Sequence, residues 1–129
     1  MIPYLKKNVN PRNRKTTDCV IRALTVATGE DYYTVLKDLY ELQVATGYDP
    51  SEKRTIDRYM EHKGWTKHKQ PRWPNGKKYL VGEIDLLIDE GDVAVISLAG
   101  HLTAVTDGHI VDTWDCRHKT IGNYYTKKD

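Results

Sequence analysis

The fold is decided by one stretch of sequence, Thr16-Thr17-Asp18-Cys19-Val20-Ile21-Arg22-Ala23-Leu24. The hydroxyl and carboxylate side chains before Cys19 can cap exposed backbone N–H groups, so the stretch predicts the start of a helix. Gly29 is expected to end that helix. The apolar residues between these two points lie on one stripe that can pack onto a core. They are Val20, Ile21, Leu24 and Ala27.

Cys19 lies in the first turn of this predicted helix. Unpaired N–H groups and the helix dipole favour a thiolate over a thiol at that position, so Cys19 is a candidate nucleophile. The alternative is that Cys19 is a small buried hydrophobic residue, as most free cysteines are. The charge of Asp18 also opposes a thiolate if the two side chains point the same way. Residues farther along the chain decide between these interpretations.

Length and composition predict one globular domain spanning residues 1–129, because a chain of this size buries a single core. Hydrophobic residues make up 39% of the chain and charged residues 29%, which excludes a disordered chain and a membrane protein. The longest apolar run, residues 93–100, is far shorter than the roughly 18 residues of a membrane span. Residues 1–7 lack the apolar core of a signal peptide. We therefore expect no membrane partner.

Cysteine content and charge indicate the compartment and the partners. The two cysteines, Cys19 and Cys116, lie far apart in the sequence, which suits free thiols in a reducing compartment. We therefore expect a cytoplasmic protein. The net charge of +2, with both signs spread along the chain, does not by itself predict a nucleic-acid partner. No cofactor is expected.

The spacing of apolar residues predicts helices first and strands afterwards. A basic, extended lead-in over residues 1–15 precedes the first helix. It is followed by helices over 30–47 and 55–64, the latter capped by Thr55, a strand and basic loop over 65–79, and a short helix over 81–91. Four strands are predicted after that, over 93–98, 102–106, 109–114 and 120–126. The fold class is α+β, with N-terminal helices packed on a C-terminal antiparallel sheet.

Asp107-Gly108 is a strong two-residue hairpin signal between the second and third of these strands. The turn fixes a register in which His101 and Asp112 lie on the same face as diagonal neighbours. The predicted pairs run from Thr106–His109 beside the turn to His101–Trp114 at the far end.

A carboxylate next to a histidine orients the ring and makes it more basic, which a cysteine nucleophile requires of its partner. The sequence therefore predicts a catalytic set in which Cys19 is the nucleophile, His101 the base and Asp112 the orienting acid. Taken singly, His101 and Asp112 also fit solvated positions on a sheet surface.

The order of these residues resembles that of the papain-like cysteine peptidases, including the bacteriocin-processing group. Asp112-Thr113-Trp114 is similar to the papain-type Asn-Ser-Trp element, with Asp in place of Asn, and Trp114 stands where that tryptophan shields the histidine pair. Asp18-Cys19 resembles the Asp-Cys of the bacteriocin-processing site, with Val20 where that site has glycine. The resemblance implies a papain-like fold and a thiol hydrolase that cleaves an amide or isopeptide bond in a protein or peptide substrate.

The chain also resembles a group of small phage proteins with no assigned activity. The similarity rests on an Asp-Cys-Val-Ile-Arg-Ala start at residues 18–23 and an Asp-Thr-Trp-Asp finish at residues 112–115. A phage origin implies that the protein acts in the host cell cytoplasm. It also leaves open a second function, a catalytically silent module that binds a host protein on the same fold.

Papain-like enzymes place a Gln six residues before the cysteine, and its side-chain amide and the cysteine N–H bind the oxyanion. Asn13 occupies that position here. It is shorter by one methylene but offers the same NH₂ donor. The resemblance therefore implies that Asn13 is the oxyanion donor, with Asn10 as the second candidate. Both asparagines also fit turns, where this residue type is common.

Cys116 supports two weaker hypotheses. It would be a diagonal neighbour of His101 if the strand continued, and so a rival thiol without a helix start to lower its pKa. With His118 and His109 nearby it also suggests a metal site, but the spacing lacks the paired ligands of zinc sites. No metal is therefore expected.

The basic segment 67–78 supports a nucleic-acid hypothesis. Its lysines and arginine, with Trp65, Trp73 and Tyr79, could neutralise and stack on a single strand. A charged loop anchored on the core by its aromatic residues explains the same pattern, and we favour that interpretation.

Overall fold

Six strands form one mixed sheet, and three α-helices pack on one face of it. A computed structural model describes residues 1–127, so the last two residues of the predicted domain, 128–129, lie outside the described part of the chain. The helices are α1 (Cys19–Thr28), α2 (Tyr32–Thr46), α3 (Lys53–His62) and a 3₁₀ helix at Val81–Leu86. The strands are β1 (Tyr4–Lys6), β2 (Trp65–His68), β3 (Ala94–Leu98), β4 (His101–Thr106), β5 (His109–Asp112) and β6 (Asn123–Lys127).

The strand order across the sheet is β1-β5-β4-β3-β6-β2. The α+β class is confirmed, but the prediction of a C-terminal, wholly antiparallel sheet is wrong. The predicted lead-in contains β1, which runs parallel to β5 with Tyr4 opposite Ile110. At the other edge β2 joins β6 in an antiparallel pair. The three residues of β1 are too few to show a period of two, so only the exposed edge of β5 defines them as a strand.

Glycine determines where the first two helices end. Gly29 and Gly47 adopt left-handed conformations with φ of 71° and 79°, which confirms the predicted ends of α1 and α2. The third helix begins at Lys53, before the predicted cap. Thr55 lies inside the helix, where its buried hydroxyl donates to the carbonyl of Asp49 at 2.8 Å. Thr55 therefore does not cap α3, and its hydroxyl fixes the loop that precedes the helix.

Both faces of the sheet are buried, which explains why β3 is apolar except at Ser97. On the helical face the core includes Leu24, Leu39, Met60, Val95 and Ala104. On the opposite face, the 3₁₀ helix that replaces the predicted short helix packs with the loops around β6. The core there includes Val81, Ile84, Ile96, Val105, Ile110, Cys116 and Ile121.

The β4–β5 hairpin turns at Asp107 and Gly108, whose φ angles are 50° and 70°. The pairs next to the turn are those predicted from the sequence: Thr106–His109, Val105–Ile110 and Ala104–Val111. The ladder ends there, and β5 stops at Asp112 and does not continue to Trp114. The chain leaves the sheet after Asp112, and Trp114 comes to lie beside the imidazole of His101.

Candidate active site

Cys19 is the first residue of α1, and His101 is the first residue of β4. Because α1 packs along β4, these two starts meet at one end of the sheet. Cys19 is half-buried, and its side chain lines a cleft together with His101. The N–H groups of the first helical turn have no acceptor within the helix. The first helical bond in α1 runs from the N–H of Arg22 to the carbonyl of Asp18 at 2.9 Å.

The carboxylate of Asp112 holds the ring of His101. His101 Nε2 lies 2.6 Å from Asp112 Oδ2, and both side chains are nearly buried. Trp114 covers the imidazole, with ring centroids 5.0 Å apart at an angle of 53°. Since Nε2 faces Asp112, the other ring nitrogen, Nδ1, is left for the thiol of Cys19.

The electrostatics of the three side chains favour an ion pair between thiol and imidazole. Burial raises the pKa of the Cys19 thiol, but hydrogen bonding to His101 and to the Leu102 backbone lowers it below its ordinary value. Burial lowers the pKa of His101, but hydrogen bonds with Asp112 and Cys19 raise it to about 9. Burial also raises the pKa of Asp112, and the imidazole outweighs this so that the carboxylate is ionised at neutral pH. These shifts favour transfer of the Cys19 proton to the imidazole.

Arg22 connects the residue before the nucleophile with the acid of the hairpin. Its Nε donates to Asp18 Oδ1 at 2.8 Å, and its Nη1 donates to Asp112 Oδ1 at 3.2 Å and to Thr113 Oγ1 at 3.0 Å. The guanidinium is nearly buried, so its charge acts at low dielectric on both carboxylates and on Cys19. Sequence reasoning missed this role, although the four-residue spacing of Asp18 and Arg22 is typical of a helical ion pair.

Asp18 occupies the N-cap position of α1, but its side chain does not cap the helix. The predicted side-chain cap at Asp18 is wrong because tertiary partners take the carboxylate. Besides Arg22, Tyr32 Oη donates to Oδ2 at 2.7 Å and Asn10 Nδ2 donates to it at 3.0 Å. We expected the negative charge of Asp18 to oppose a thiolate at Cys19. That charge is compensated by hydrogen bonds from three donors, Arg22, Tyr32 and Asn10.

The two candidate oxyanion donors lie in the turn before α1. Asn13 is exposed, has a φ of 51°, and donates its backbone N–H to the carbonyl of Asn10 at 2.8 Å. The Asn10 amide contacts Asp18, and its Oδ1 accepts from the N–H of Arg12 at 2.9 Å. The structure therefore brings Cys19, His101 and Asp112 together, and it places both asparagines in the supporting turn.

Cys116 lies beside the acid and belongs to the core cluster that contains Ile96 and Ile110. It is fully buried, with Sγ 4.0 Å from Asp112 Oδ2, and burial together with the Asp112 charge raises its pKa to about 11. Within residues 1–127, His101, Asp112 and Cys116 form the group whose ligand atoms lie within 4.8 Å of one another. These donors suit zinc by type. Binding would require the buried thiol to ionise beside a carboxylate that Arg22 already occupies, so the arrangement favours proton transfer over metal binding.

The aromatic residues around the basic segment 67–78 contact other protein groups. Trp65 is buried in the core, and Trp73 and Tyr79 stack on each other with ring centroids 4.3 Å apart. Lys67 pairs with Asp57 at 3.0 Å. These contacts are those of a loop anchored on the core by its aromatic side chains.

The cleft beside Cys19 has a volume of about 460 Å³. It lies between the start of α1, the start of α3 and the β3–β4 turn. Cys19 and His101 are part of its lining. Its lining consists of Cys19, Val20, Ser51, Lys53, Ile56, Ser97, Leu98, Gly100, His101, Leu102 and Tyr125.

Two further findings complete the description. Among the described helices, none is both long and apolar enough to span a membrane. Comparison of the chain with protein-family models, with curated proteins and with solved structures found no match in any of the three.

Proposed function

We propose that this protein is a thiol hydrolase with a papain-like fold, a cysteine peptidase that cleaves an amide or isopeptide bond through Cys19, His101 and Asp112. The observation that carries the proposal is the position of the His101 ring, held by Asp112 at 2.6 Å in a cleft that Cys19 also lines. A nucleophile, a base and an orienting group in that order are the parts that covalent acyl transfer requires.

The reaction begins when His101 takes the proton of Cys19. The thiolate attacks the acyl carbon, and the negative charge moves to the carbonyl oxygen. In this mechanism the backbone N–H of Cys19, at the start of α1, stabilises the oxyanion. His101 then donates the proton to the leaving nitrogen as the carbon–nitrogen bond breaks. This step yields an amine and a thioester on Cys19.

Water completes the cycle. His101 accepts a proton from the water that attacks the thioester, and it returns that proton to the sulfur as the acid leaves. Asp112 stays ionised throughout and stabilises the imidazolium each time it forms. Trp114 shields one face of the His101–Asp112 pair and so limits competition from bulk water for that hydrogen bond.

Intact-mass spectrometry after exposure to an electrophilic substrate analogue tests the proposal. A peptidyl acyloxymethyl ketone serves, because the thiolate displaces its carboxylate and forms a stable thioether. We expect one adduct on the wild-type protein and on Cys116→Ala, and none on Cys19→Ala. Circular dichroism of each variant checks that the fold is retained. Equal labelling of Cys19→Ala and wild type, or no labelling of folded wild type, would overturn the proposal. A role in protein binding would then be the better explanation of the fold.

A further inference from the structure

The cleft beside Cys19 is apolar over most of its surface. Five of its lining side chains are hydrophobic, and each is less than a tenth exposed. They come from α1, α3, β4, β6 and the end of β3, so they form a fixed wall. A ligand site of this kind takes up an apolar side chain and uses a few polar groups for selection. The five residues are Val20, Ile56, Leu98, Leu102 and Tyr125.

Among the described residues that line this cleft, Lys53 is the one lysine or arginine. It is the first residue of α3, and its side chain is exposed. No carboxylate lines the cleft, and within residues 1–127 Lys53 forms no ion pair. Its charge is therefore directed to solvent and to whatever enters the cleft.

The carboxylates nearest to Lys53 in the sequence have other partners. Asp49 accepts from the hydroxyl of Ser51 at 2.7 Å. Glu52 accepts from the N–H of Asp49 at 2.7 Å and pairs with Arg54 at 3.5 Å. Asp57 pairs with Lys67 at 3.0 Å. None of these carboxylates forms an ion pair with Lys53, whose ammonium lies at the edge of an apolar cleft.

We propose that the cleft selects acidic peptides, in which an apolar side chain fills the wall and a neighbouring carboxylate pairs with Lys53. The inference rests on the proposed function, because Cys19 defines where the scissile bond lies. Lys53 is thus a specificity-determining residue that takes no part in the chemistry.

The test compares two peptidyl chloromethyl ketones that differ in a single charge, acetyl-Glu-Leu-Ala and acetyl-Gln-Leu-Ala. A second pair, acetyl-Leu-Glu-Ala and acetyl-Leu-Gln-Ala, presents the charged and the apolar side chain in the opposite order along the cleft. The second-order rate of Cys19 labelling, followed by intact mass, should be about three- to tenfold higher for the Glu probe in one order at low salt. Added salt should reduce that ratio, since the lysine is exposed.

Variants of Lys53 separate this inference from the proposed function. The ratio should fall to about one in Lys53→Gln and invert in Lys53→Glu, while Lys37→Gln, an exposed helical lysine on α2, should keep the wild-type ratio. Equal rates for the two probes in both orders, or a ratio that survives in Lys53→Glu, would overturn the role of Lys53. In that outcome rapid labelling of Cys19 by neutral iodoacetamide would still uphold the thiol chemistry. Slow labelling by iodoacetamide would instead remove the proposed function.

Discussion

The Nε2 atom of His101 lies 2.6 Å from Oδ2 of Asp112, across the end of a hairpin whose turn is six residues from the histidine. This contact fixes which ring nitrogen faces Cys19. It also places a buried negative charge beside the imidazole, so the proton that Cys19 gives up is retained by His101 at neutral pH. In the proposed mechanism the reactivity of the sulfur therefore depends on a carboxylate that contributes no atom to the bond being made.

Asp112→Asn should separate the charge of this acid from its hydrogen bond. The amide oxygen can still accept from Nε2, but the negative charge that stabilises the imidazolium is lost. We expect the pKa of His101 to fall well below its value of about 9 in the wild type. The imidazole signals in an NMR pH titration measure this shift, with the signals of His68, which contacts Thr126, as the internal reference. If the titration of His101 is the same in Asp112→Asn as in the wild type, the charge of Asp112 does not raise the pKa of His101.

Protonation of His101 should make the stability of Cys19→Ala depend on pH. Burial lowers the pKa of His101, and hydrogen bonds and charges from Asp112 and Cys19 outweigh this and raise it. In Cys19→Ala we expect Asp112 alone to keep the pKa above the ordinary 6.5. A raised pKa in the folded state stabilises the fold fully below 6.5, and that stabilisation is lost as the pH rises through the folded-state pKa. In the wild type the proton released by Cys19 offsets the proton bound by His101, so the Cys19→Ala variant isolates the effect.

Urea unfolding measures this dependence. We expect the unfolding free energy of Cys19→Ala to decrease between pH 6.5 and 9, and we expect the decrease to be absent in Cys19→Ala combined with His101→Gln. A free energy that stays level or increases over this range in Cys19→Ala would contradict the prediction.

Removal of Arg22 should destabilise the protein strongly. The guanidinium is nearly buried and bonds to Asp18 and Asp112, so Arg22→Ala leaves two buried carboxylates without their cation. Loss of one partner of a buried pair costs about 3–5 kcal/mol. Lys37→Ala, which breaks the exposed pair with Glu41, is the control and should change the free energy of unfolding by less than about 0.5 kcal/mol. Similar effects of the two substitutions in urea unfolding would contradict the structural role of Arg22.

The hairpin turn can be tested at Gly108. Its φ of 70° places it in the left-handed region, so Gly108→Ala should cost about 1–2 kcal/mol of unfolding free energy. Asp107→Asn is the matched control, because Asn tolerates the same region, and we expect a change below about 0.5 kcal/mol. Thermal or urea unfolding distinguishes the two. A neutral Gly108→Ala would show that the turn does not constrain the register that carries Asp112.

Local signals in the sequence were sufficient for the parts of the site that depend on a single element. A helix start at Cys19, a glycine end at Gly29 and a two-residue turn at Gly108 each require a particular residue in a particular backbone conformation. The hairpin register then follows from the turn, and with it the proximity of His101 and Asp112. That α1 lies along β4 does not follow from these local signals, which predicted only that N-terminal helices pack on the sheet.

Features that depend on tertiary partners could not be predicted in the same way. Asp18 has the residue type of a helix cap, but its carboxylate accepts hydrogen bonds from Tyr32 and Asn10 in place of the helix N–H groups. The strand β1 exists because β5 has a free edge, which no local pattern in three residues reveals. The charge balance around Lys53 likewise depends on which neighbours pair with one another.

The pH dependence of iodoacetamide labelling at Cys19, read by peptide mass spectrometry against Cys116 in the same protein, tests the central claim most directly. The thiolate of Cys19 is stabilised by His101, whereas the pKa of Cys116 is raised to about 11. Because only the thiolate reacts, Cys19 should react far faster than Cys116 at neutral pH, and its midpoint should move to higher pH in His101→Gln. Equal, slow labelling of the two cysteines, with no effect of His101→Gln, would contradict the account.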